Sequence, residues 1–363
     1  MAEAPRTKPL DNAAEGQRFA ALRSGFDQAA GRSGPIIERS FCIGGYAVRI
    51  RFANTGLVEP LTLPFRHLES APGDAADLTI SVWDSASSGT RLSAAAGNLR
   101  EHHEFATPVT SAAGGILTAY MRPNPGLSML DMHTGEAVYW LPGASDVAFE
   151  DRSSPLRGIL SWWMSRRLRQ FVHGAAVGTE RGCVLIVGKG GSGKSTTALS
   201  CLLEGMLYLG DDNCLVSLDP DPFAWSVYST AKLHAHNLRR LPGLGDAIAN
   251  KGRLHLEKGV LLLNDHFTGQ LRRKLPLLAV IVPEVSHAAR PALRACSSME
   301  ALTALAPSTL LQLSAAAPDS LKQMAELIRR VPAFKMALSE DVSANARELR
   351  ALLDRLPVAG AVP

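Results

Sequence analysis

Tyr46, Val48, Ile50 and Phe52 alternate with Ala47, Arg49 and Arg51, and Leu78, Ile80 and Val82 alternate with Thr79 and Ser81. A period of two puts each set on one face of a strand, so residues 35–150 predict a β-rich domain whose sheets keep one face in water. Residues 127–141, turning around His133-Thr134-Gly135-Glu136, predict a hairpin. Before this region, residues 1–34 are rich in Ala, Gly and polar side chains, and only Phe19, Leu22 and Phe26 hint at a short helix. They predict a tail prone to disorder. After residue 150 the period lengthens. Ser154 is placed as an N-cap, Pro155 as a first-turn proline, and Leu156, Ile159, Leu160, Trp163 and Phe171 keep a helical spacing. The arginines of that segment (Arg157, Arg166, Arg167, Arg169) read as a solvated face.

From residue 172 to about 284, apolar strands alternate with helical stretches, which is the α/β pattern and sets a core at 151–295. Residues 296–363 predict a helical segment with two apolar stripes, Leu321, Met324, Leu327, Ile328 and Leu349, Leu352, Leu353, Leu356.

Composition narrows the class. The chain has 363 residues, 46% hydrophobic and 20% charged, as expected of a chain with two or three packed domains. The longest apolar run, 275–282, has 8 residues against the roughly 20 needed to span a bilayer. No apolar core of a secretory signal follows Met1, so a cytoplasmic protein without membrane partners is expected. The net charge of +4 is scattered and does not ask for nucleic acid. Cys42, Cys183, Cys201, Cys214 and Cys296 form no C-x-x-C pair, which argues against a disulfide framework or structural zinc.

One motif stands out: Gly188-Lys189-Gly190-Gly191-Ser192-Gly193-Lys194-Ser195, a full match to G-x-x-x-x-G-K-[ST]. The apolar run 183–187 before it reads as a buried strand; Thr196 and the residues to 204 read as a helix stopped by Gly205. In this setting glycine N–H groups close around phosphate oxygens at the positive end of a helix. Lys194 is then expected to reach the β- and γ-phosphates of ATP, and the Ser195 hydroxyl to hold Mg²⁺.

Downstream, the apolar residues 206–209 predict a short strand that delivers Asp211 and Asp212 at its end. Adjacent carboxylates beside a phosphate loop suit two tasks, holding the metal and accepting a hydroxyl proton. The residues alone leave open which aspartate does which. Upstream, His173-Gly174 opens what reads as an adjoining strand, 175–177.

The layout of His173-Gly174, the loop 188–195, Gly205 and Asp211-Asp212 resembles the HPr kinase/phosphorylase superfamily, firmly over about 170–215 and loosely to 282. That resemblance implies an α/β P-loop kinase core of the HPr kinase/PEP carboxykinase type. It implies ATP- and Mg²⁺-dependent phosphorylation of a serine on a peptide or small protein. It also places Asp211 and Asp212 in the base and metal roles, with His173 near the phosphates. The later acidic signature of bacterial HPr kinases is degraded here to Arg239-Arg240-Leu241-Pro242-Gly243-Leu244-Gly245. The β-rich first third is closer in layout to kinases that phosphorylate the C-terminal serine of lasso-peptide precursors.

Two other functions remain beside it at this point, an HPr-directed kinase and a dimerising ATPase of the ParA/MinD kind, whose deviant Walker A the early Lys189 also fits. A homo-oligomer is left open. Arg239, Arg240, Arg272, Arg273 and Lys274 are candidates for gripping an acidic peptide, Lys232 is a further candidate, and His234, His236, His255 and His266 read as structural.

Overall fold

The computed structural model of the protein describes residues 12–94, 109–110, 115–121, 126–147, 152–312 and 319–357. Two sheets carry the fold, and both are mixed α/β assemblies with helices against them. The first has seven strands in the order Ile37–Ile43, Tyr46–Phe52, Leu78–Asp84, Glu136–Leu141, Gly126–Asp131, Ile116–Met121, Val109–Thr110. The predicted hairpin is present, with Asp131 opposite Glu136.

The wet face survives at the edge, where Ala47 is exposed and Arg49 and Arg51 are half-buried, but not at the centre of the sheet. Strand Leu78–Asp84 alternates between two cores: Leu78, Ile80 and Val82 face one, and Trp83 faces the other. The second of these is closed by the helix Asn12–Ser33, which seats Phe19, Leu22, Phe26 and Ala29 against Trp83, Tyr120 and Trp140. From residue 12 onward the expected tail is therefore an ordered helix. Its apolar residues are few, so composition conceals them, but Phe19, Leu22 and Phe26 share one helical face and find aromatic partners.

The other face of the first sheet packs on the helix Arg157–Ser165 through Ile159, Leu160, Trp163 and Met164, together with Phe171, Leu215, Val227 and Tyr228. A single apolar core thus crosses the boundary expected at residue 150. The helix is also shorter than its spacing suggested: Leu156 sits at φ 57, Ser154 accepts from Asn213 Nδ2 (3.2 Å) rather than capping, and Phe171 belongs to a strand. Two of the arginines of that segment are part-buried against aromatic rings. Arg167 lies 3.6 Å from the Trp163 ring centroid, and Arg169 lies over Trp225 at 5.1 Å.

The second sheet has nine strands. Its path runs Leu207–Gly210, Gly174–Thr179, Gly182–Val187, Lys274–Ala288, Phe223–Trp225, Cys214–Ser217, Gln170–Val172. The 15-residue strand Lys274–Ala288 is its spine, pairing in parallel with both Gly182–Val187 and Ala333–Ser339. The segment 296–363, expected to be helical, therefore gives a strand to the core sheet. Phe334, Met336 and Leu338 alternate with Lys335 and Ala337, and Lys335 reaches Glu284 (3.2 Å) and Glu300 (2.7 Å). The rest of that segment is helical as expected: Ser298–Gln312 and Ser320–Arg330 cover one face of the sheet, and Val342–Arg355 covers the other beside Lys194–Leu203.

Both apolar stripes are mostly buried, except that Leu321 is half exposed. Leu349 is fully buried among Leu199, Leu202 and Val184. Leu349→Ala is expected to lower the unfolding free energy by about 2–5 kcal/mol in urea titration, since the cavity left between two helices and a sheet cannot close. No helix among the described residues is long and apolar enough to cross a membrane.

Candidate functional site

Strand register brings the candidate residues to one edge. Gly174–Thr179 runs antiparallel to Gly182–Val187, so the start of the first, Gly174, lies opposite Val187 at the end of the second. Leu207–Gly210 is also antiparallel to Gly174–Thr179, with Gly210 opposite Ala176. His173, the loop 188–193 and Asp211-Asp212 thus emerge side by side, although nearly 40 residues of chain separate the first from the last. The parallel partner Ala333–Ser339 adds Leu338 and Ser339 at the same edge, where Leu338 registers with Val285.

The loop is shaped by its glycines. Gly188, Gly191 and Gly193 have φ of 149, 80 and 96. The φ of Gly193 strains any side chain, and a Cβ there would lie 2.5 Å from Leu338 Cδ1, which would have to shift. The helix Lys194–Leu203 starts directly after it and aims unsatisfied N–H groups at the loop. The Lys194 ammonium folds back on the loop and donates to the carbonyls of Gly188 (2.8 Å) and Lys189 (3.1 Å). Burial lowers its pKa, while Asp211 and Asp212 oppose that and Lys258 adds to it.

The two aspartates differ sharply. Asp211 is buried; its Oδ1 accepts from Ser195 Oγ at 3.0 Å, and its Oδ2 has no hydrogen-bond partner. Burial first, then the charge of Asp212, pushes its pKa up to about 7, against the pull of Ser195 and Lys194. A buried carboxylate with an orphaned oxygen beside a hydroxyl is a donor set that suits a small hard cation, which takes few protein ligands and completes its shell with phosphate and water. Asp212 instead faces open space. It sits at φ 62, and its Oδ2 lies 3.5 Å from Lys232 Nζ.

His173 holds Asp212 through the backbone: Nδ1 lies 3.0 Å from the Asp212 carbonyl oxygen, and since a carbonyl only accepts, the proton is on Nδ1. Its main-chain N–H donates to Thr309 Oγ1 at 3.0 Å. Burial, ahead of the opposing charge of Asp212, lowers the pKa of its ring, so the imidazole is neutral at pH 7. Among the described residues no cluster of three or more His, Cys, Asp or Glu is gathered as a metal site.

These groups border a cavity of about 890 Å³, lined by Gly190, Gly191, Gly193, Lys194, Ser195 and Thr196 on the loop side and by His173, Asp212 and Lys232 beside it. Lys189 and Ser192 face away from it into a second, more apolar groove of about 660 Å³ that includes Met299, Pro307 and Leu311; Gly190 borders both. Of the basic residues expected to grip an acidic partner, Arg240 lines the main cavity. Arg272 pairs with Glu180 (2.8 Å) and Arg273 donates to the Glu69 carbonyl (2.9 Å), while Lys274 lies over Trp225; all three are engaged outside that cavity. His234 and His236, read as structural, are exposed on the cavity wall. Sequence reasoning missed this wall, along with Ser339 and Asn345, although the resemblance to the kinase family extends loosely through the Lys258 region. Only the ribbon pairing of Thr230–Leu233 with Gly259–Leu262 and the strand Ala333–Ser339 bring these residues together.

No protein-family model and no curated protein matches the chain. Among solved structures, the Hpr(Ser) kinase/phosphatase from Coxiella burnetii aligns with 50% of this chain and 93% of its own, at 11% identity and a TM-score of 0.30, a likeness too slight to carry an argument.

Proposed function

We propose that the protein is an ATP- and Mg²⁺-dependent serine kinase. The observation that carries this reading is the pairing of Ser195 with the buried Asp211, directly behind a glycine loop and its lysine, with Asp212 open to the same cavity. Glycine N–H groups of 188–193 and the start of helix Lys194–Leu203 bind the phosphate chain, and Lys194 exchanges its two loop carbonyls for phosphate oxygens. Ser195 and Asp211 would hold Mg²⁺, which supplies neutralisation of the charge on the bridging phosphates. Asp212 is left as the group that accepts the proton of the attacking hydroxyl, oriented by His173 at its carbonyl and by Lys232 at its carboxylate.

This division of labour rests on burial. A carboxylate shut away beside Ser195 can serve a cation but has no path to an acceptor, whereas one at φ 62 on the cavity wall does. The acceptor we propose is a serine on a flexible peptide, because few contacts need ordering to place a terminal or loop hydroxyl in line. The C-terminal serine of a lasso-peptide precursor is the specific form, and it stems from the sequence resemblance.

Incubation with γ-labelled ATP and Mg²⁺, with and without serine peptides, tests the reading. Label should move to the peptide and vanish when its serine becomes alanine, as read by mass spectrometry. Release of inorganic phosphate alone would instead favour an ATPase switch.

A further inference from the structure

The wall opposite the phosphate loop carries more positive charge than the nucleotide reading uses. His234, His236, Arg240 and Lys258 all line the main cavity, the first three following strand Thr230–Leu233 and the last directly preceding its partner Gly259–Leu262. The two imidazoles stack, with ring centroids 5.5 Å apart and planes 17° from parallel.

Among the described residues none of these four makes an ion pair with a carboxylate; Arg240 donates only to the carbonyl of Glu340, at 2.9 Å. Lys232, by contrast, is already engaged by Asp212. Burial lowers the pKa of His234, and Lys258 and His236 lower it further, so the wall's own charges oppose one another. The carboxylates on the same cavity are Asp212, engaged by Lys232, and Glu340, the residue whose carbonyl takes Arg240; a concave surface with this excess of positive groups favours an anion.

Its place in the cavity says which anion. The phosphate chain of a nucleotide is served by the loop N–H groups and Lys194. The wall begins two residues beyond Lys232 and is tied to Asp212 by that lysine, so a group resting on it lies on the side of the attacking hydroxyl. We propose that His234, His236, Arg240 and Lys258 form an acceptor subsite for a carboxylate or phosphate carried close to the serine that is phosphorylated. The inference rests on the kinase reading above and narrows its substrate to an acidic acceptor. An anion there meets the charges of Arg240 and Lys258 and the imidazole N–H groups of His234 and His236, which fixes the acceptor relative to Asp212.

Equilibrium dialysis of labelled inorganic phosphate against protein saturated with Mg²⁺ and a non-hydrolysable ATP analogue is the test. About one phosphate should be retained per chain, with affinity at least tenfold weaker in Lys258→Met and in His236→Gln variants that keep wild-type melting and analogue binding. No retention once the loop is filled, or equal affinity in both variants, would overturn the subsite. Competition then identifies the source. Serine peptides flanked by Asp should displace the phosphate if the acceptor supplies a carboxylate, and peptides flanked by phosphoserine if it supplies a phosphate. Displacement by neither, or equally by Asn-flanked peptides, refutes the acceptor assignment. Failure of the analogue itself to bind is a different result: it removes the kinase reading and this inference with it.

Discussion

Replacing Lys194 by alanine is expected to cut phosphoryl transfer roughly 100- to 1,000-fold, the range for removing one preorganised electrostatic partner of a transition state. The side chain is buried, and its ammonium is held by two carbonyls of the loop it serves. Its charge is therefore positioned before any phosphate arrives, and alanine removes both the charge and the brace across the loop. Single-turnover assays with γ-labelled ATP would read the loss. Circular dichroism and melting would show whether the helix Lys194–Leu203 still forms, as it should, because Leu199 and Leu202 anchor it independently. Turnover near the wild-type rate in a folded Lys194→Ala protein would remove the phosphate loop from the mechanism.

The second large effect concerns the carboxylates, and it separates two roles that sequence leaves open. Asp211→Asn and Asp212→Asn keep shape while removing charge, and each should lower turnover by at least about 100-fold. They should differ in their response to metal. Asp211 is joined to Ser195 and has an orphaned oxygen, so its asparagine variant should recover part of its activity as Mg²⁺ is raised. Asp212 faces the cavity and Lys232, so its variant should not recover at any Mg²⁺ concentration. Rescue of Asp212→Asn alone would exchange the two assignments. Near-normal rates in both would reduce the pair to a turn.

Much of the site was legible because its signals are local. An apolar strand, a glycine-rich stretch with lysine and serine at fixed spacing, and two acids at a strand end each declare themselves within a few residues. His173 was legible by position: it lines the same cavity as the glycine loop, and the detail the sequence did not carry is its ring contact with the Asp212 backbone.

What escaped depends on pairing between distant segments. The strand Ala333–Ser339 has a period of two, but a lysine in its middle and helices on both sides hid it. The cavity wall of His234, His236 and Lys258 exists only because Leu233 registers with Gly259. The helix Asn12–Ser33 has too few apolar residues to announce a core, and its stability comes from aromatic partners on the first sheet.

The position of Ala333–Ser339 also bears on how the chain is made. The ribosome delivers the spine Lys274–Ala288 some 45 residues before the strand that pairs with its C-terminal half. During that interval Val280, Ile281 and Val282 present an open backbone edge, and the face later covered by Leu349 and Leu353 is bare. The first sheet can assemble early, but the glycine loop cannot acquire its final neighbour Leu338 until synthesis has passed the helix Ser320–Arg330. A stalled or prematurely released chain ending in the 290s would carry the whole glycine motif and both aspartates while exposing an adhesive edge, which makes it a substrate for chaperones and proteases rather than a smaller working enzyme.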